Sequence, residues 1–176
     1  GISMAQAMRE YGLDPEKVNE AILNPEKVRM FLELHIEQGP VLDAENIEIG
    51  IVDAIAGLRR WVVTVKGRSD HSGSTPMNMR ADTMLAAARA LVRGTAKTAE
   101  LGDGTMVTCG SVEVKPGAMN VVANETVFKI DCRGKNMDSV GAVLEEIRVS
   151  LEESVNTYPG LSFEVNEILR IESVYT

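Results

Sequence analysis

Arg59 to Met77 reads RRWVVTVKGRSDHSGSTPM, and Arg80 to Arg93 follows as RADTMLAAARALVR. The first part, Arg59 to Lys66, is β-branched and aromatic with polar ends, the composition of a strand. Gly67 to Met77 is a polar, glycine-punctuated loop that carries His71, one of two histidines in the chain. Residues 80–93 are rich in strong helix formers, and Pro76 and Asp82 mark where that helix begins. A strand-loop-helix corner is a place where backbone N–H groups and a positioned side chain can meet an anionic ligand. The same stretch also reads as a surface histidine in an ordinary βα turn.

Downstream, Met106–Val114 reads as a strand, Pro116-Gly117 as a turn, Met119–Val122 as a short extended piece and Thr126–Cys132 as an alternating strand. Gly94 to Gly104 reads as a helix end plus a polar loop. Asp138 opens a second amphipathic helix in which Val140, Val143, Leu144, Ile147 and Leu151 recur at helical spacing. Tyr158-Pro159-Gly160 ends it, and Leu161–Ile168 is the last strand. From residue 57 the order is β-α-β-β-α-β, which predicts an α+β, ferredoxin-like sandwich with both helices on one face of a four-stranded antiparallel sheet.

Upstream, Ser3 caps a helix over Ala5–Tyr11, and Asp14-Pro15-Glu16 opens a second one. Met30–Gln38 (MFLELHIEQ) alternates, with Phe31, Glu33, His35 and Glu37 on one face, and is expected to be a strand. Val41–Glu45 is a short helix or turn, and Ile47–Ile55 a further strand. Residues 1–56 offer too little for a core of their own. The expected organisation is therefore a partial catalytic-domain segment over 1–56, a ferredoxin-like domain over 57–168, and a return toward the first domain over 169–176. The opening Gly1-Ile2-Ser3-Met4 and the close on Ser173-Val174-Tyr175-Thr176 read as a piece of a longer protein.

The chain has 176 residues, a net charge of −8 and no dense basic run, which argues against a nucleic-acid surface. It has no apolar stretch of membrane-spanning length and no visible signal peptide, and its two cysteines fit a reducing cytoplasm, the expected location. Cys109 and Cys132 form no CxxC motif and read as buried thiols.

Several polar residues can carry chemistry. His35 with Glu37 is the start of a metal site, but zinc needs three or four protein ligands and the chain does not evidently supply them; a structural histidine is the alternative. In Arg59-Arg60, alternation sends one side chain inward and one outward, either as solvated charge or as a guanidinium that grips a carboxylate. Asn120 lies where a turn meets a strand, and Arg133 ends the strand Thr126–Cys132. Together an amide and an arginine fork can read a carboxylate or ureido group if they meet in space. The acidic pairs Glu145-Glu146 and Glu152-Glu153 read as a solvated helix face.

His35-Ile-Glu-Gln-Gly-Pro40, Gly57-Leu-Arg-Arg-Trp61, His71-Ser-Gly-Ser-Thr-Pro-Met77, Met119-Asn-Val-Val122 and Asp131-Cys-Arg133, in this order and spacing, resemble the amidase/hydantoinase/carbamoylase family. Its members include allantoate amidohydrolase, N-carbamoyl-L-amino acid hydrolase and β-ureidopropionase, within the zinc aminoacylase/carboxypeptidase superfamily. The resemblance implies a lid and dimerisation domain inserted in a two-metal catalytic domain. It implies a homodimer, and a small ureido or carbamoyl acid as substrate, with Zn, or Mn or Co, as the divalent metal. By the same resemblance His35 falls on a metal ligand, and Gln38 and Arg60 on substrate contacts. His71 falls on the histidine that stabilises the oxyanion in the partner subunit's active site, and Asn120 and Arg133 on the pair that binds the substrate carboxylate. Ser72 replaces the usual Ala, and Ala123 a frequent Pro. The family's HxD motif, bridging Asp, paired Glu residues and further His ligand are not in this chain, so the fragment alone is expected to be inactive. The other reading is a ferredoxin-like dimerisation or small-molecule-binding module without catalysis; convergence of His71, Asn120 and Arg133 on one surface would separate the two.

Overall fold

The computed structural model describes residues 1–176, which divide into two units, Gly1–Gly50 and Ile51–Thr176. The first unit holds α1 (Met4–Glu10), 3₁₀ segments at Pro15–Ala21 and Pro25–Lys27, and α2 (Val41–Glu45). Its helical pieces start where the sequence places caps: the side chains of Ser3, Asp14 and Asn24 accept hydrogen bonds from the backbone N–H groups of Gln6, Glu16 and Glu26. No residue of this unit is buried, and Phe31, Leu32, Leu34 and Ile36 are all well exposed.

Met30–Gln38 is not a strand, contrary to its alternating pattern. Alternation gives a strand two faces, but the backbone donors and acceptors still need a neighbouring strand, and none lies beside this segment. The strand expected over Ile47–Ile55 shrinks for the same reason to β1 (Ala54–Ile55), the only part that finds a partner.

The second unit continues with β2 (Gly57–Lys66), a 3₁₀ turn at Met77–Met79, α3 (Thr83–Leu101), β3 (Met106–Lys115), β4 (Glu125–Gly134), α4 (Met137–Thr157), β5 (Ser162–Ile171) and β6 (Val174–Tyr175). This is an α+β unit. Its main sheet has the order β3-β4-β2-β5, every pair antiparallel. β1 and β6 form a separate two-stranded ribbon, Ala54 opposite Tyr175 and Ile55 opposite Val174, so residues 51–56 go with the second unit rather than the first.

Alternation decides the faces. Trp61, Val63 and Val65 of β2 and Thr126, Phe128, Ile130 and Cys132 of β4 are buried in one core with Val140, Val143, Leu144, Ile147 and Leu151 of α4. The inward residues of α3 are small: Thr83, Ala86, Ala87, Ala90 and Gly94. Ala86, Ala87 and Ala90 are spent on this chain's own core. The one hydroxyl pair in that core satisfies itself, Thr83 Oγ1 lying 2.8 Å from Thr126 Oγ1.

α3 also runs past the stop expected at Gly94. It ends at Gly102, whose φ of +61° suits a glycine after the last turn. Gly94 is needed for proximity instead: a Cβ there would come within 2.5 Å of Ile147 Cγ1, so its missing side chain sets how closely α3 meets α4. The acidic pairs of α4 are less free than their sequence suggests. Arg93 of α3 binds Glu146 and Glu153, while Arg148 binds Glu145 and Glu152.

Overpacking at this crossing has a predictable cost. Gly94→Val should lower the unfolding free energy of the chain by about 2 kcal/mol, and by less than half of that in an Ile147→Ala background where the space is vacated. Urea denaturation of the two single variants and the double variant measures the difference; additive losses would contradict the contact.

Candidate functional site

The outward face of the sheet carries a row of polar residues set by strand register. Arg60 of β2 lies directly opposite Asp131 of β4, and Asp131 opposite Thr108 of β3. One step along, Arg133 faces Leu58 on one side and Met106 on the other. Arg59 goes to the other face, as alternation requires. There it lies over the Trp61 ring at 5.5 Å and pairs with Glu167, which also accepts from Trp61 Nε1 at 3.0 Å. The Trp61 indole, helped by Arg59, holds the Glu167 carboxyl below its usual range.

Asp131 clamps both outward guanidinium groups. Arg133 donates from Nε at 2.6 Å to Oδ1 and from Nη2 at 3.0 Å to Oδ2, and Arg60 donates from Nε at 2.7 Å to Oδ2. The Asp131 side chain is 26% exposed, against 42% for Arg60 and 48% for Arg133, so the carboxylate lies beneath and the guanidinium groups remain partly open. Arg133 holds the Asp131 carboxyl below the usual carboxylate range, with Arg60 adding to the effect and partial burial opposing it. Both Nη of Arg60 and Nη1 of Arg133 have no partner, which leaves planar donors for a carboxylate. Beside them the β2–β5 pairing shifts register between Arg60 and Trp61, a bulge of the kind that re-aims side chains.

His71 stands at the opposite end of the sheet. Its loop is strapped to the segment before β4: Ser72 N–H donates to the Asn120 carbonyl at 3.0 Å, Val122 N–H to the Asp70 carbonyl at 2.9 Å, and His71 bridges Val121. Arg80 holds the loop from the other side, donating to the carbonyls of Thr75 and Ser72. Arg68 makes a bidentate pair with Asp70 and also reaches the Met79 carbonyl. His71 and Asn120 are thus neighbours through their backbones, and both are exposed.

Asn120 and Arg133 do not meet within one chain. Asn120 precedes the Glu125 end of β4, Arg133 lies at its far end, and the strand between Glu125 and Arg133 spans roughly 27 Å. The expected convergence of His71, Asn120 and Arg133 is therefore absent from a single copy: His71 and Asn120 group at one end, Arg60 and Arg133 at the other. Sequence reasoning missed Arg80, Asp131 and Thr108. The Asp131-Cys132-Arg133 spacing puts both charges on one face of a strand, and that signal was legible; the loop clamp of Arg80 had none.

In the first unit, His35 Nδ1 lies 2.6 Å from the Ile36 carbonyl. A carbonyl only accepts, so Nδ1 carries the proton and Nε2 presents a lone pair, the form a metal-ligating imidazole takes. Glu37 is not its companion: Glu37 Oε1 accepts from the N–H groups of Val41 and Leu42 and caps α2. Gln38 has φ of +57°, a strained backbone for a residue with a side chain. No three His, Cys, Asp or Glu residues gather to hold a metal. One imidazole of suitable tautomer fits a metal. Cys132 is inert by burial, which pushes its thiol up to about 11.

Residues 54–159 match the peptidase dimerisation domain family. The chain is 39% identical over 174 residues to the N-carbamoyl-L-amino-acid amidohydrolase of Paenarthrobacter aurescens, covering 99% of this chain and 42% of that protein. It is 40% identical over 156 residues to the allantoate amidohydrolase of Escherichia coli, covering 88% and 36%. A crystal structure of an amidase of the hydantoinase/carbamoylase family from Burkholderia multivorans superposes with a TM-score of 0.75 at 28% identity, over 80% of this chain and 34% of that one. The chain thus spans less than half the length of the curated relatives it matches. No helix is long and apolar enough to cross a membrane.

The Asp131 clamp can be read by titration. Its folded carboxyl lies below its unfolded value, so the two ion pairs stabilise the fold at and above ordinary carboxylate pH, and that contribution is lost as pH falls through the folded value. Asp131→Asn should cost on the order of 1 kcal/mol at neutral pH, the scale of partly exposed pairs, and the gap to the parent chain should close on acidification. Urea midpoints of both proteins as a function of pH check this; a gap that does not depend on pH would refute it.

Proposed function

The chain belongs to the peptidase dimerisation domain family, and because its curated relatives are allantoate and N-carbamoyl-L-amino-acid amidohydrolases, we propose that it is the lid and dimerisation region of a metal-dependent amidohydrolase that cleaves the C–N bond of ureido- or carbamoyl-substituted acids. The strand order β3-β4-β2-β5 with two crossing helices supports a ferredoxin-like arrangement for the second unit. Residues 1–50 then belong to the catalytic domain, which accounts for exposed apolar side chains such as Phe31 and Leu34 that have no core to enter. A cytoplasmic location is in keeping with the free thiols.

The observation that carries this reading is the Arg60–Asp131–Arg133 row. A carboxylate fixes two guanidinium groups side by side and leaves their outer N–H groups open, a receptor preformed for an anionic, planar acid group. His71 and Asn120 sit about a strand's length away, so in this reading they serve the site of the other subunit in a homodimer. Arg133 and Arg60 of one copy hold the substrate acid. His71 and Asn120 of the second copy come to the reacting end, where an imidazole N–H stabilises negative charge developing on the carbonyl oxygen. Gln38 is assigned to substrate and His35 to a divalent metal; amidohydrolases of this family are generally metal-dependent. When bound, the metal would activate the attacking water.

The isolated chain should release no ammonia from allantoate or N-carbamoyl amino acids with Zn, Mn or Co. The full-length parent should do so, and should lose activity on His71→Ala or Arg133→Ala. Mixing those two inactive variants tests the shared site. After subunit exchange half the dimers carry one intact site of two, so about one quarter of the parent activity should return. No recovery, with exchange shown by mass spectrometry, would place both residues in one subunit's site. An inert parent would favour a dimerisation module without catalysis.

A further inference from the structure

His71 is folded back over its own loop. The Gly73 backbone N–H donates to His71 Nδ1 at 3.2 Å, and Ser74 Oγ lies 3.3 Å from the same nitrogen. A Cβ on Gly73 would sit 3.2 Å from His71 Cε1 and 3.5 Å from Nδ1, so the glycine leaves room for the ring. The turn itself is closed by Thr75 N–H donating to the His71 carbonyl at 3.2 Å, and Arg80 pins its outer carbonyls.

A backbone N–H can only donate. The nitrogen that receives it must carry a lone pair, so Nδ1 is unprotonated and the ring proton of the neutral imidazole is on Nε2. A serine hydroxyl can donate to the same lone pair. We propose that Gly73 and Ser74 are positioning residues that hold His71 as the neutral tautomer with its proton on Nε2, so that the loop presents an outward N–H donor. This deepens the role given to His71 above and rests on it for its catalytic meaning. A neutral imidazole N–H can stabilise an oxyanion as a hydrogen-bond donor. A ring with its proton on Nδ1 would present a lone pair there and repel the developing charge. The tautomer is therefore what separates an oxyanion donor from a base in this place.

The two histidines make opposite cases in one chain. His35 places Nδ1 against a carbonyl, so its proton is on Nδ1; His71 places Nδ1 against an N–H, so its proton is on Nε2. Two-bond ¹H–¹⁵N correlation spectra of the ¹⁵N-labelled 176-residue chain, at a pH where both rings are neutral, distinguish the forms, and His71→Gln assigns the pair of spin systems. His71 should show a pyridine-type Nδ1 and a pyrrole-type Nε2, with the Nε2–H to Nδ1–H ratio raised roughly fivefold over the urea-unfolded chain, the scale of one net hydrogen bond. Ser74→Ala and Gly73→Ala should each lower that ratio, and Ser74→Thr should keep it, while Trp61 near-ultraviolet circular dichroism stays unchanged. A native ratio equal to the unfolded one, or a ratio indifferent to both alanine variants, overturns the proposal. This readout needs no substrate. Spectra as expected, together with a parent enzyme that keeps its rate on His71→Ala, would uphold the tautomer and remove only the oxyanion role.

Discussion

One antiparallel register, running from Gly57 opposite Gly134 to Lys66 opposite Glu125, organises the second unit. It puts Trp61 beside Ile130 and Val63 beside Phe128 on the helix face, and Arg60 beside Asp131 on the other. A slip of β2 by one residue against β4 would turn β2 over, burying Arg60 away from Asp131 and exposing Trp61 and Val63. Hydrophobic burial thereby fixes a charged row it does not contact. Phe128, Ile130, Val63 and Val65 are all almost wholly inaccessible, and at about 25 cal/mol per Å² the apolar area they remove from water outweighs what a partly exposed ion pair can add. The core selects the register, and the register pairs the charges.

The same strands fix what cannot meet. Asn120 and Arg133 are near in sequence, yet an extended strand is the longest path a chain can take between two points, so most of that separation becomes distance. His71 and Asn120, by contrast, are far apart in sequence and are brought together by a strap of backbone hydrogen bonds. A polar pair that looks joint from motif order is divided by geometry within one copy. In the homodimer proposed above, each copy lends one end and borrows the other, with no change to either surface.

Local chemistry was the legible part of the sequence. Ser3, Asp14 and Asp82 all cap the segments they precede, because a cap needs only its own side chain and the next few N–H groups. The β-α-β-β-α-β order after residue 57 was legible from periodicity. The strand expected over Met30–Gln38 was not realised, because a strand is a property of two segments and the pattern describes one. Gly94 was misread as a stop because an interior glycine and a terminal one look the same until the neighbouring helix is present. His71, Arg60 and Arg133 were visible as residues of interest, but Asp131 as their organiser required the cross-strand register, and the tautomer of His71 required the turn that folds the ring over Gly73.

The β1–β6 ribbon has a consequence for how such a unit can be moved between proteins. Ala54 and Tyr175 are paired neighbours, about 5 Å apart at the spacing of antiparallel partners, although more than a hundred residues of folded chain lie between them. The path in and the path out therefore share one doorway. A host chain could accept the cassette within a surface turn without being pried open, and could be resealed by a short turn after its excision, because the host sees only two strand ends already side by side.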